Sequence, residues 1–179
     1  MSKSYYSLGL MSGTSMDGVD ASIIQSDGEK KYKVILDKYF EYPQGIFKDL
    51  TKLRVKIKSS KDLKKFSKEI KKIEKEITLF HAKAVNQILK KTKVYVDLIG
   101  FHGQTIYHDT AYYVTRKKIS RQLGDGKLLS KLTRKTVVYN FRQNDLKNGG
   151  QGAPLTPIFH GLIAHQHRFV PPNIFVNIG

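Results

Sequence analysis

Apolar residues recur along this chain at two periods, and the change from one to the other separates strands from helices. Tyr5–Met11 is an aromatic and aliphatic run that predicts a strand; Ser12-Gly13-Thr14-Ser15 breaks it, and Asp17-Gly18 turns it. A second strand leaves through Val19, Ala21, Ile23 and Ile24, so Leu8–Ser22 reads as a hairpin around a dipeptide that tolerates φ > 0. Beyond Asp27-Gly28, Lys31–Tyr42 predicts a third strand with Tyr32, Val34 and Leu36 on one face. Pro43-Gln44-Gly45 stops it, and Ile46–Lys58 predicts a short amphipathic helix.

Leu63, Phe66, Ile70, Ile73, Ile77, Phe80 and Ala84 then alternate three- and four-residue steps. That stripe predicts one long helix on a sheet, with a coiled-coil dimer as the alternative. His81, in the same helix, has no partner at ligand spacing and reads as structural or solvent-facing. Val94–Phe101 is the apolar run of a buried strand, ending in His102-Gly103-Gln104-Thr105, where open α/β sheets place ligands. Ile119–Leu123 and Thr136–Phe141 predict further strands, with a short helix over Lys127–Thr133 between them. The loop Gly149-Gly150-Gln151-Gly152-Ala153 feeds a helix over Pro154–His165, and Asn173–Ile178 predicts a last strand. Hairpin strands followed by strand–helix alternation predict an α/β fold, a ribonuclease-H-like mixed sheet with flanking helices.

Charge changes this picture little. The formal net charge is +17, yet Thr51–Lys93 alone holds fifteen Lys and Arg against four acids, mostly on the long helix. That distribution favours a solvated helix face over a nucleic-acid surface, because arginines interleaved with aromatics are missing there. No cysteine means no disulfide and no thiolate metal site. No uncharged apolar run approaches the roughly 18–20 residues of a membrane helix. With no signal peptide evident at Met1–Tyr6, the expectation is a cytoplasmic protein without membrane or nucleic-acid partners.

The chemistry concentrates in the first hairpin. Gly13, Thr14, Ser15 and Gly18 offer uncrowded N–H groups and hydroxyls suited to phosphate oxygens. Asp17 and Asp20 suit a hard cation such as Mg²⁺. Glycine, serine and aspartate also build ordinary turns, so the stretch alone leaves a plain hairpin open. His102 and Gln104 suit a sugar or a phosphate, and the helix after Gly149–Gly152 points donors at an anion.

Four stretches together resemble a known family: Gly9–Asp20 (GLMSGTSMDGVD), Gly100–Thr105 (GFHGQT), Gln122–Gly126 (QLGDG) and Val137–His160, with GGQGAPL followed by Pro157, Phe159 and His160. On these the chain is identified as resembling the anhydro-N-acetylmuramic acid kinases, within the actin/hexokinase/Hsp70-like phosphotransferase superfamily. The resemblance implies an ATP- and Mg²⁺-dependent enzyme of peptidoglycan recycling. Such an enzyme hydrolyses the 1,6-anhydro ring of 1,6-anhydro-N-acetylmuramic acid and phosphorylates O6. It implies that Gly13, Thr14, Ser15, Met16, Asp17, Gly18, Val19 and Asp20 hold the ATP phosphates, with Asp17 toward Mg²⁺. His102, Gln104, Arg142, Gly149, Gly150, Gln151 and Gly152 would line the sugar side, and Asn140, Asp145 and Arg142 would flank the attacking water.

Two departures qualify those expectations. Asn140 stands where the family pattern carries an aspartate expected to act as base, so either Asp145 substitutes or the chain is a weakened sugar- or nucleotide-binding relative. Family members also carry a second, nucleotide-closing lobe, and Asn177-Ile178-Gly179 resembles its opening. The expectation is therefore an N-terminal lobe, inactive alone, with a homodimer possible.

Overall fold

The computed structural model describes residues 3–109 and 118–176. In chain order the elements are β1 (Tyr5–Ser12), β2 (Gly18–Ser26), β3 (Tyr32–Glu41), α1 (Gln44–Lys56), α2 (Ser60–Lys65), α3 (Ser67–Leu89), β4 (Leu98–Asp109), β5 (Ile119–Leu123), α4 (Gly126–Thr133), β6 (Thr136–Tyr139), α5 (Phe141–Lys147) and α6 (Leu155–Gln166). One mixed sheet holds all six strands. β3, β2 and β1 form an antiparallel meander, β4 lies parallel to β1, and β6 pairs in parallel with the other edge of β4. This is the ribonuclease-H-like mixed α/β sheet that the strand pattern predicted, and it is consistent with the actin-like first lobe that the family resemblance implied.

The sheet is one-sided in its packing. Leu8 and Leu10 of β1, Val19, Ala21 and Ile23 of β2, and Ile99 and Phe101 of β4 are buried on one face. Against them pack Leu50 and Leu53 of α1, Ile70, Ile73, Ile77, Val85 and Ile88 of α3, and Leu129 of α4. The apolar stripe of the long helix is thus consumed within the chain, which removes the reason for a coiled-coil dimer. Its lysines, including Lys68, Lys71, Lys75 and Lys83, face outward and are exposed. His81 lies on the inner face and is fully buried.

Several boundaries differ from the sequence expectation, each for a physical reason. The long helix is interrupted at Phe66 (φ −99°, ψ 21°), where Ser59 and Asp62 have already started α2 with a capping box. Hydrogen bonds from Phe66 N–H to Asp62 and from Ile70 N–H to Phe66 span the break, so it is a one-residue bend. β4 starts only at Leu98 and does not end at Phe101; it runs on to Asp109. Gly103 (φ +74°) lets it change partners, from the parallel ladder with β1 and β6 to an antiparallel one with β5. A side chain at Gly103 would collide with the Leu123 carbonyl oxygen. His102-Gly103-Gln104-Thr105 is therefore the middle of a central strand and not a loop beyond its end.

At the carboxyl end β6 stops at Tyr139, short of the expected Phe141, and α5 begins at Phe141. The expected strand at Asn173–Ile178 does not form over residues 173–176. Ile174 is 85% and Val176 77% exposed, and no strand among the described residues pairs with them; positions 177 and 178 fall outside the described residues. No helix among the described residues is long and apolar enough to cross a membrane. Replacing Ile77, fully buried at the helix–sheet contact, tests this core: Ile77→Ala should cost about 2–4 kcal/mol in urea unfolding, and Lys75→Ala less than about 0.5 kcal/mol.

Candidate functional site

The turn between β1 and β2 is shaped by what its carbonyl groups bond to. The Gly13 carbonyl accepts from Gln104 Nε2 at 2.7 Å and from Met16 N–H at 3.3 Å. The Thr14 carbonyl accepts from Arg54 Nη1 at 2.8 Å, and the Asp17 carbonyl from Tyr42 N–H at 2.7 Å. With those oxygens drawn toward the protein, the N–H groups of Gly13, Thr14 and Ser15 have no partner among the described residues. Successive free N–H groups beside a guanidinium make a concavity that attracts anions.

Within the turn, the left-handed backbone falls on Met16 (φ +61°), whose side chain is buried beneath it, and not on Gly18. Gly18 is needed for a different reason: a side chain there would strike the Phe40 carbonyl and the Tyr39 ring. Val19 is buried in the core, whereas Asp17 and Asp20 are exposed. The Ser15 hydroxyl donates to Asp17 Oδ1 at 2.6 Å and holds that carboxyl below the usual carboxylate range. Among the described residues no three His, Asp or Glu side chains gather to hold a metal. An ionised, exposed Asp17 beside an anion-ready turn instead fits Mg²⁺ shared with phosphate oxygens and water.

A second feature lies on the opposite face of the sheet from α1 and α3. It is a cavity of about 410 Å³ lined by, among others, Asp20, Ser22, His102, Arg142, Gly152 and Phe141. Arg142 ties its walls together, donating from Nε to His102 Nε2 at 3.1 Å and from Nη1 to the Gly152 carbonyl at 2.6 Å. His102 Nδ1 lies 2.7 Å from the Gly103 carbonyl, which can only accept, so the proton is on Nδ1 and Nε2 is bare. Burial, with Arg142 alongside, keeps His102 neutral by lowering its pKa. Asp145 Oδ2 accepts from Gly152 N–H at 2.6 Å, and Lys118 donates to the Gly149 and Gly150 carbonyls, so the glycine-rich loop is held from both sides.

The residues expected from sequence divide between these two places. Gly13, Thr14, Ser15 and Asp17 shape the turn; Asp20, His102, Arg142 and Gly152 meet at the cavity. Gln104 is fully buried behind the turn, bonded to the Gly13 carbonyl, and does not line the cavity. Gly149, Gly150 and Gln151 lie outside the cavity lining, as does Asn140, an exposed residue in left-handed conformation (φ 62°) ahead of α5. Asparagine is among the few residues that adopt that conformation readily.

The sequence profile of the anhydro-N-acetylmuramic acid kinase family matches residues 5–179. The chain belongs to this family. Curated relatives named anhydro-N-acetylmuramic acid kinase include one from Pelagibacter ubique, 58% identical over 179 residues, covering 100% of this chain and 46% of the relative. Another from Agrobacterium fabrum is 39% identical, covering 96% of this chain and 46% of the relative; one from Acidiphilium cryptum is 36% identical, covering 97% and 45%. The chain thus spans a little under half the length of the curated relatives it matches.

His81, read as structural or solvent-facing, is structural and fully buried, whereas two residues that bond the turn's carbonyls were not legible beforehand: Arg54 and Tyr42. Nothing near them in sequence announces a role, because each acts on residues at least 25 positions away. Ser12, grouped with the turn's hydroxyls by its neighbours, instead points inward and is fully buried beside His81. Burial pulls the His81 pKa down to about 4. A histidine depressed below its ordinary 6.5 adds stability above pH 6.5 and loses it as pH falls toward 4. Unfolding titrations should show that loss as about 3 kcal/mol, with His102 adding in the same direction, and His81→Gln should flatten the slope.

Proposed function

We propose that these 179 residues supply the phosphate-binding turn and one wall of the sugar site of an ATP-dependent anhydro-N-acetylmuramic acid kinase. The reaction opens the 1,6-anhydro ring of 1,6-anhydro-N-acetylmuramic acid with water and transfers a phosphoryl group to O6, giving N-acetylmuramic acid 6-phosphate, a cytoplasmic step of peptidoglycan recycling. The observation that carries this reading is the turn at Gly13–Asp17, whose Gly13, Thr14 and Asp17 carbonyls are bonded inward while three N–H groups remain open. In phosphoryl transfer, catalysis is mainly positioning and charge neutralisation, which is what such a turn provides.

Each residue then has a defined task. Gly13, Thr14 and Ser15 N–H groups hold phosphate oxygens, and Arg54 adds positive charge behind them. Asp17 is the carboxylate for Mg²⁺, which when bound neutralises charge on the transferring group. At the cavity, Asp20 and Ser22 bond sugar hydroxyls. Arg142 Nη2, without a partner among the described residues, fits the lactyl carboxylate of the muramic unit.

Water activation needs a proton acceptor, and of the two candidates named from sequence only Asp145 is a carboxylate. The Asn140 amide cannot accept the proton and lies outside the cavity lining; the Asp145 carboxylate is engaged by Gly152 N–H. Asp145 Oδ1 has no partner among the described residues, so Asp145 remains the candidate base while its Oδ2 holds the glycine-rich loop.

The test is ADP release in a protein joining residues 1–179 to the part of the Pelagibacter ubique relative beyond its match. Release should require both anhydro-sugar and Mg²⁺; saturable sugar binding by a folded protein without release would leave a binding relative and overturn the kinase. In the same protein Arg54→Ala should raise KM for MgATP roughly tenfold, the worth of one charge-assisted contact. Asn140→Asp should leave kcat within about twofold, whereas a gain of tenfold, ~1.4 kcal/mol of barrier, would return the base to position 140.

A further inference from the structure

Tyr42 holds the turn at both ends. Beyond the turn, its backbone N–H donates to the Asp17 carbonyl at 2.7 Å; before the turn, its phenol lies 2.8 Å from Ser12 Oγ. Ser12 Oγ is also 3.2 Å from His81 Nε2, and His81 Nδ1 is 2.8 Å from the Ile77 carbonyl one helical turn earlier. All three side chains are buried: Ser12 and His81 fully, Tyr42 to 4% exposure. Rings close around them, with Tyr42 and Phe80 centroids 5.0 Å apart and His81 and Phe101 4.9 Å apart.

The proton positions follow from the chemistry of the end group. A carbonyl oxygen can only accept, so His81 Nδ1 carries the hydrogen. A neutral imidazole then leaves Nε2 bare, and Nε2 must accept from the Ser12 hydroxyl. Ser12 Oγ, having given its hydrogen to His81, can only accept from the Tyr42 phenol. The chain therefore runs one way, from Tyr42 through Ser12 and His81 to Ile77, with every donor used.

We propose that Tyr42, Ser12 and His81 are positioning residues for the Gly13–Asp17 turn, a buried clamp whose hydrogen bonds run in a single direction. This rests on the phosphate-turn reading, and extends it to residues that touch no ligand. The clamp fixes where β1 ends relative to α3 and where the turn rejoins the body at Tyr42. The free N–H groups between those two points thereby have a defined direction before any anion arrives, which spares the cost of ordering them on binding.

The test is ¹⁵N–¹H spectroscopy of the chain, beginning with the His81 ring. The clamp requires protonated Nδ1 and bare Nε2; a protonated Nε2 at neutral pH would overturn it. Tyr42→Phe then removes the phenol oxygen and keeps both the backbone bond to Asp17 and the packing on Phe80. Amide exchange at positions 16 and 42 should accelerate roughly fivefold, the effect of one hydrogen bond, relative to core amides such as that of Ile99. Acceleration equal to that of the core would mean general loosening and overturn the clamp. MgATP added to the unsubstituted chain separates the two readings. If no shifts appear at residues 13–17 while the tautomer and exchange results hold, the nucleotide reading fails and the clamp stands.

Discussion

A five-residue turn can present its N–H groups outward only if something else takes its carbonyls. Left alone, a turn closes on itself through its own carbonyl-to-amide bonds. Here Gln104, Arg54 and Tyr42, from a central strand, a helix and the residue after β3, draw the Gly13, Thr14 and Asp17 carbonyls into the body of the protein, with Met16 N–H also reaching Gly13. Each such bond contributes only about 1 kcal/mol net. Their collective effect is conformational, because the turn has no room to rotate while all are made. The helix–sheet core exists in part to bring these three residues to one place.

That requirement explains features of the fold that would otherwise look incidental. Gln104 reaches Gly13 because β4 runs on beyond the parallel ladder, which Gly103 permits by taking a left-handed conformation next to the Leu123 carbonyl. Arg54 reaches Thr14 because α1 packs through Leu50 and Leu53, leaving its polar side at the hairpin tip. Tyr42 reaches both ends because β2 and β3 stay in register from Gly18–Glu41 to Ile23–Leu36, and Gly18 lets the Tyr39 ring and Phe40 carbonyl come close.

The other face of the sheet follows a different logic. There the strands present small or polar residues, Gly9, Ser22, Gly100 and His102, which leave room for the cavity. Arg142 and Asp145 both bond Gly152, fixing the glycine-rich loop to β4 and to α5. The apolar residues of α6, among them Leu155, Ile158 and Phe159, stay largely exposed, so this side of the sheet lacks the dense packing of its opposite.

Much of this was legible in the sequence. Period-two runs marked β1 to β3, the three- and four-residue stripe marked α3, and the GTSMDG and GGQGAPL stretches carried the family likeness. Those signals are local, since strand period, helix period and glycine spacing are each set within a dozen residues. What only the tertiary structure decided was which distant side chains meet. Ser12 finds Tyr42 thirty residues away and His81 sixty-nine away, and Arg54 finds Thr14 across forty. Such meetings depend on strand register and helix placement, which no window along the chain contains. The same holds for Asn140 and Asp145: the family resemblance set both beside the reacting water, and only the fold shows Asn140 exposed outside the cavity lining and Asp145 bonded to Gly152. Composition and spacing can nominate polar residues for a site, but only packing determines which face inward, which face the ligand and which support the others.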